Sequence, residues 1–289
     1  MNQLYNVIGI SKQAVHKYQK RQDAFDNKLR ILYSEVLLLR KEHPGCGVEK
    51  MYHTLKPDFI GRDKFVEIFM ELGFRLNKKK NYRRTTYAVE KYYPNLIKGL
   101  EIQEPSIVWQ SDITYIYVRA ENRYYYAVFI MDVYTKQIVG WAVSDHLRAI
   151  ANVKAMKKAL RKHHPPKIHH SDRGSQYVYK EYINLLKRNN CQISMSLIAQ
   201  ENAYVERIHK TIKEEYLDHW QINTYSTLRQ KVSQAVKHYN TKRLHNSLGR
   251  MTPVAFEEKI RVMPIQARPK LIIYDDNEQH MKNIEQHIL

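Results

Sequence analysis

Three carboxylates, Asp112, Asp172 and Glu206, are the side chains of this sequence whose types and settings could do chemistry. Asp112 lies in the middle of Val108-Trp-Gln-Ser-Asp-Ile-Thr-Tyr-Ile-Tyr-Val118, a run rich in β-branched and aromatic residues that suits a strand. Asp172 follows the short β-prone stretch Lys167-Ile-His-His-Ser171 and precedes Gly174, so it is expected at a strand tip that opens onto space. Glu206 falls on a helix expected from about Asn202 to Asp218. Taken singly, each has a plain structural explanation: Asp112 as a hydrogen-bonded or ion-paired core aspartate, Glu206 as a surface helix residue. Taken together, on adjacent strands and a covering helix, they form a cage of negative charge that cannot stay fully ionised without a cation. Hard divalent ions with oxygen ligands answer that need, Mg²⁺ best, because it keeps several waters and takes a few carboxylates plus substrate phosphate. A pair of such ions about 4 Å apart supports in-line phosphoryl displacement without a covalent nucleophile.

The elements that must hold these acids follow from the pattern around them. In the first strand Val108, Gln110, Asp112, Thr114, Ile116 and Val118 share one face, and Trp109, Ser111, Ile113, Tyr115 and Tyr117 the other. Neither face is cleanly polar, so the strand is expected to be central and covered on both sides. Tyr124 to Asp132 and Ile138 to Val143 are two further strands, joined by short turns and therefore antiparallel. A helix from about Ala149 to His163 crosses to Lys167–Ser171, which should run parallel to the first strand. A helix from Lys180 to Arg188 and a strand from Cys191 to Met195 complete five strands. Three strands, helix, strand, helix, strand is the ribonuclease H-like order, an α/β layer fold. Leu228 to Tyr239 and a proline-led segment from Thr252 are expected as closing helices. Asp132 and Asp145 are the alternative acids, but both sit at element ends, where a supporting or capping role is expected. Glu201 precedes the established helix, and Glu214 and Glu215 lie two turns beyond Glu206.

Composition narrows the partner. The 289 residues carry 48 Lys and Arg against 29 Asp and Glu, a formal charge of +19, which calls for a polyanion. No apolar run approaches the ~18 residues a spanning helix needs, and no secretory leader opens the chain, so a membrane is the weaker option. The two cysteines, Cys46 and Cys191, lack the spacing of a disulfide framework or a zinc site, as expected inside a cell.

The first 27 residues have helix-turn-helix spacing. A short apolar helix is followed by Gly9, then by Ser11 as an N-cap, with Lys12, Gln13, His16 and Lys17 at the start of the second helix. Residues 28–84 form a second helical DNA-binding unit, with helices at Leu29–Arg40, Val48–Leu55 and Arg62–Leu72, the last ended by Gly73. It ends in a basic cluster that includes Lys78, Lys79, Lys80, Arg83 and Arg84. Such a cluster reads either as a solvated charge run or as an arm that grips phosphates. Residues 85–104 are expected to be a linker, 105–220 the catalytic core, 221–263 a helical completion of that core, and 264–289 a tail that is disordered or an assembly arm. Around the acids, Arg173, Arg207, Lys210 and Lys213 are placed to hold DNA phosphates. Arg243 and His245, in the basic loop Asn240–Gly249, are candidates for phosphate contact or for packing.

Five segments carry a resemblance: Trp109-Gln-Ser-Asp-Ile-Thr-Tyr115, Ile138-Val-Gly-Trp141, His170-Ser-Asp-Arg-Gly-Ser-Gln-Tyr177, Glu201-Asn-Ala-Tyr-Val-Glu-Arg207 and Tyr239-Asn-Thr-Lys-Arg-Leu-His-Asn-Ser-Leu-Gly249. Over nearly its whole length the chain resembles the transposases of the insertion-sequence family numbered three, of the type encoded by the second open reading frame. Their catalytic core is similar to retroviral integrase, the DDE class. The resemblance implies that Asp112, Asp172 and Glu206 are the catalytic and metal-binding triad, with two Mg²⁺ or Mn²⁺ ions. It also implies that the N-terminal helices bind the element's terminal inverted repeats. Strand cleavage and strand transfer on double-stranded DNA, a homo-oligomer, a small helix-turn-helix partner protein of the same element and a bacterial cytoplasmic, nucleoid-associated location come with it. The 33 residues between Asp172 and Glu206 are slightly fewer than the commonest spacing in that class, which puts most weight on the third acid. Two other functions share these features: a ribonuclease H-like nuclease without strand transfer, and a helix-turn-helix regulator whose catalytic half is inactive.

Overall fold

Between Ser11 and Pro44 the sequence contains neither glycine nor proline, and in the computed structural model this stretch is a single helix, α1 (Lys12–Glu42). The structure describes residues 11–76, 93–196 and 198–274, divided into one unit before residue 78 and one after it. Ser11 caps α1 by accepting the Ala14 N–H at 3.1 Å. Gln19 donates to Asp23 and Gln22 to Asp26, each at 3.1 Å, carrying the helix through the region where a boundary at 27/28 was expected. No break separates two helical units there, because nothing in the local sequence breaks a helix. The apolar helix expected over residues 4–9 lies outside the described residues, as do Lys78, Lys79, Lys80, Arg83 and Arg84.

Helices α2 (Val48–Leu55) and α3 (Arg62–Glu71) pack on the second half of α1 around Val36, Met51, Phe65 and Phe69, all fully buried. Gly73, at φ 83°, ends α3 in the left-handed conformation expected of it. Arg40 ties the unit together, donating to the carbonyls of Pro44 (3.1 Å) and Phe74 (2.8 Å).

The second unit opens with β1 (Glu101–Ile102) and continues with β2 (Val108–Val118), β3 (Arg123–Asp132), β4 (Ile138–Ser144), α4 (Ile150–Leu160), β5 (Ile168–Ser171), α5 (Lys180–Arg188), β6 (Gln192–Met195) and α6 (Ala203–Glu215). Helices α7 (Tyr225–Thr241) and α8 (Pro253–Arg261) and strand β7 (Leu271–Ile272) close it. The main sheet has the order β4-β3-β2-β5-β6, with β2 at its centre. Pairing is antiparallel from β2 through β4 and parallel from β2 through β6, the ribonuclease H-like arrangement read from the sequence.

Each face of β2 has its own cover. Ile116 and Val118 pack with Val205, Ile208 and Ile212 of α6 and Val232 and Val236 of α7. Trp109 and Ile113 pack on the opposite side with Val153 and Met156 of α4 and Leu186 of α5. Gly140, within Ile138-Val-Gly-Trp141, lets α4 lie against the sheet: a Cβ there would fall 2.5 Å from the Ala155 carbonyl oxygen and 2.9 Å from the Ala159 Cβ.

Two stretches differ from expectation. The described part of the expected linker packs into the second unit, with Ile97 and Ile102 buried. The first residues of the expected tail do so as well: β7 pairs antiparallel with β1 and Ile273 is fully buried. Residues 275–289 lie outside the described residues. Among the described residues no helix is long and apolar enough to cross a membrane.

Candidate active site

Strand register brings the first two acids together. β2 and β5 run parallel with Ser111 opposite Ser171, so Asp112 and Asp172 follow as neighbours at the ends of that pairing. Adjacent strands lie about 4.8 Å apart, which sets the scale of their separation. Asp172 is held in place by the Gly174 N–H, which donates to its Oδ1 at 3.0 Å. A Cβ on Gly174 would crowd that same oxygen, also at 3.0 Å, so the residue after Arg173 has to be small for the loop to fold back on the carboxylate.

Helix α6 lays its apolar side, Val205, Ile208 and Ile212, on the Asp112 face of the sheet. His209 on that helix approaches Asp112, Nδ1 to Oδ2, at 3.4 Å. Glu206 precedes His209 by three residues and so projects from the same side of α6 one turn earlier. It is the outermost of the three, exposed at the rim, whereas Asp112 is largely covered.

Burial raises all three carboxyls, as it does Asp132, but at Asp112 two other acids add to the rise. Burial, then Asp172, then Glu206, holds the Asp112 carboxyl well above the ordinary carboxylate range, opposed by the Ile113 N–H at 2.8 Å and more weakly by Lys213. Burial raises Asp172, and burial followed by Asp172 raises Glu206. Burial, helped by Lys213, pushes the His209 imidazole down to about 3, so it meets Asp112 as a neutral ring. Like charges therefore share this corner, a donor set of hard oxygens that fits a divalent cation. Among the described residues no three His, Cys, Asp or Glu side chains are drawn together as a finished metal cage.

The alternative acids behave as supports. Asp132 is 2 % exposed and accepts from the Ser106 N–H (2.6 Å), Trp109 Nε1 (3.2 Å), and the Thr135 N–H (2.8 Å) and Oγ1 (3.1 Å). Asp145 lies beside His146 at 3.7 Å, more than half exposed. Glu201 accepts from the Ile198 N–H at 3.4 Å, just ahead of α6.

The expected DNA contacts fall into three groups. Lys12, Gln13, His16 and Lys17 are exposed on the first turns of α1, and Arg207 and Lys210 are exposed on α6. Arg173 and Lys213 are half-buried beside the acids. Arg243 takes the packing alternative: it makes two short bonds to Glu215, Nε at 2.8 Å and Nη2 at 2.6 Å, with both side chains largely covered. It ties the loop after α7 to the end of α6 as an internal contact. His245, buried against Tyr239, packs with it. His169 and His170, next to Asp172, are structural: they bond Tyr182 (2.9 Å) and Ser194 (2.8 Å), and burial holds their rings near 3 and 4.

Sequence reasoning gave no role to two residues near the acids, His209 and Gln110. Helical spacing from Glu206 was the available signal for His209. For Gln110 it was a polar residue two positions before Asp112 on the same strand face.

Comparison with known proteins gives the family. The integrase core domain family matches residues 103–199, and a second integrase core domain family matches residues 191–253. An uncharacterized 31 kDa protein of insertion element IS600 from Shigella sonnei is 34% identical over 271 residues, covering 89% of this chain and 98% of that protein. The transposase for insertion sequence element IS904 of Lactococcus lactis subsp. lactis (strain IL1403) is 34% identical over 187 residues, 63% of this chain and 72% of that one. The transposase InsF for insertion sequence IS3A of Escherichia coli (strain K12) is 31% identical over 160 residues, 54% of this chain and 55% of that one. The central sheet, its acids and these relatives together make the chain a member of the IS3-family insertion-sequence transposases, DDE-class polynucleotidyl transferases with an integrase core.

Proposed function

We propose that Asp112, Asp172 and Glu206 are the catalytic carboxylates of DNA transposition and hold two Mg²⁺ or Mn²⁺ ions. The observation that carries this is placement: the pairing of Ser111 with Ser171 sets Asp112 and Asp172 side by side, and α6 packs on the Asp112 face with Glu206 one turn before His209, which meets Asp112 at 3.4 Å. When bound, the cations supply stabilisation of the charge on the attacking and leaving oxygens. The chain's own residues do the rest. Asp112 and Asp172 offer adjacent oxygens from paired strands, and Glu206 adds a third from the helix above. Neutral His209 holds the inner oxygen of Asp112 without competing as a cation. Arg207 and Lys210 extend from the same helix to grip phosphates beside the scissile bond.

The substrates are double-stranded DNA at the element's ends and a target duplex. Water cleaves at the end, and the freed 3′-hydroxyl then attacks a target phosphodiester; each step exchanges one P–O bond for another. Bringing two ends together calls for a homo-oligomer, and the family implies a small helix-turn-helix partner from the same element. The exposed cations at the start of α1 and the basic residues 78–84 would bind the inverted repeats.

A strand-transfer assay with end-sequence DNA and Mn²⁺ tests this. Joined product from the native chain, and loss of both cleavage and joining in Asp172→Asn with DNA binding retained, is the expected result. Cleavage without joined product would leave a nuclease. Equal, metal-indifferent binding with no cleavage by either protein would leave a regulator.

A further inference from the structure

The helix that carries Glu206 lacks the cap its sequence position calls for. Asn202 stands at the N-cap of α6, yet its side chain makes no capping bond there. The first N–H groups of a helix have no partner within it and need one from elsewhere. Here it comes from the sheet: Gln110 Oε1 accepts the Val205 N–H at 3.4 Å, one residue before Glu206. The other end of the same amide, Nε2, donates to the Glu201 carbonyl at 3.2 Å and to the Tyr274 hydroxyl oxygen at 2.6 Å. Gln110 is fully buried and lies two residues before Asp112 on the same strand face.

Tyr274 belongs to the C-terminal strap. That strap is fixed by the pairing of β7 with β1 and by buried Ile273. Its ring lies 5.3 Å from that of Tyr204, in the first turn of α6, and Lys136 Nζ stands 4.0 Å from the centre of the Tyr204 ring. The Tyr274 hydroxyl takes the amide nitrogen of Gln110 and so leaves the amide oxygen turned toward the Val205 N–H.

We propose that Gln110, oriented by Tyr274, is a positioning residue that fixes the first turn of α6, and with it Glu206, over the strand that carries Asp112. The proposal rests on the reading of Glu206 as a cation ligand. It adds that the C-terminal strap, distant in sequence from all three acids, sets how well the third one meets the ion.

The test uses the full chain with Gln110→Met, which keeps the volume and removes all three bonds, and Tyr274→Phe, which keeps the ring and removes one. Mn²⁺ affinity is read directly from the electron paramagnetic resonance signal of the free ion. Tm and metal-free binding to end-sequence DNA are measured beside it, and cleavage is titrated against Mn²⁺. Gln110→Met should weaken Mn²⁺ binding about tenfold, the scale of lost outer-shell support. Tyr274→Phe should weaken it about threefold, the scale of one hydrogen bond. Half-saturating Mn²⁺ for cleavage should move in parallel, with metal-free DNA binding unchanged. A fall in Tm with Mn²⁺ affinity unaltered in both variants overturns the proposal and leaves Gln110 a packing residue. If Gln110→Met does not fold, Tyr274→Phe decides alone. Glu206→Gln separates the underlying reading: native Mn²⁺ affinity and cleavage there would remove Glu206 itself, whatever the other two variants do.

Discussion

Asp132 and Asp112 are both carboxylates of the central sheet, and the protein treats them in opposite ways. Asp132 is surrounded by four donors that oppose the rise its burial imposes on the carboxyl and knit the end of β3 to Ser106, Trp109 and the following turn. Asp112 receives one hydrogen bond, from the N–H of its own neighbour Ile113, and beyond the weak pull of Lys213 is faced by a neutral imidazole and two further acids. A carboxylate that builds structure is given its partners by the fold. Asp112, proposed to hold an ion, is left short of them, at a cost to the metal-free protein.

The contrast breaks first at the acids themselves. Asp112→Asn and Asp172→Asn should each lower cleavage and joining by roughly 10³-fold or more. The metal-free Tm should hold or rise, since a repelling charge is gone; a marked fall in Tm would make Asp112 another Asp132. Asp132→Ala should do the reverse, costing about 3 kcal/mol in a denaturant titration because buried donors lose their acceptor. Its cleavage per folded molecule should persist at low temperature.

Cation binding supplies the next test. A saturating ion, at 100 times its dissociation constant, should stabilise the folded chain by about 2.7 kcal/mol. The sign with pH follows from the raised carboxyls. Their stabilising contribution is fully present below the ordinary values of 3.8 for Asp and 4.5 for Glu and is lost as pH rises through the raised folded values. Metal-free protein should therefore lose stability from this cluster on leaving the acid range. Calorimetry at pH 5 and pH 8 should show the larger Mg²⁺-dependent rise in Tm at pH 8.

Smaller effects sharpen the comparison elsewhere. Arg243→Ala should cost about 2 kcal/mol by removing two short bonds to a largely covered Glu215, while end-DNA affinity stays the same. Lys210→Ala, exposed on α6, should leave stability alone and reduce the salt dependence of DNA binding by about one unit of slope.

Much of the site could be read from the sequence, because local signals carried it. The alternation of β2, the glycine after Asp172 and the order of strands and helices are written in neighbouring residues. Where the reading failed, the cause lay in distance or in a missed local rule. Splitting α1 ignored the absence of any helix breaker between Ser11 and Pro44. Leu271-Ile-Ile-Tyr274 is too short to show a period and is ordered by a strand far back in the chain. Arg243 found its acid in Glu215, and Gln110 found Val205 and Tyr274; no single-sequence rule pairs such residues before the fold is known.

Helix α6 is gripped near both ends, by Gln110 at its first turn and by Arg243 on Glu215 at its last. A rod pinned in this way has little freedom to slide, so what adjusts at Glu206 is the side chain, through torsions that turn over in picoseconds to nanoseconds. If Glu206 holds an ion as proposed, its loading would ask for no loop opening at this helix.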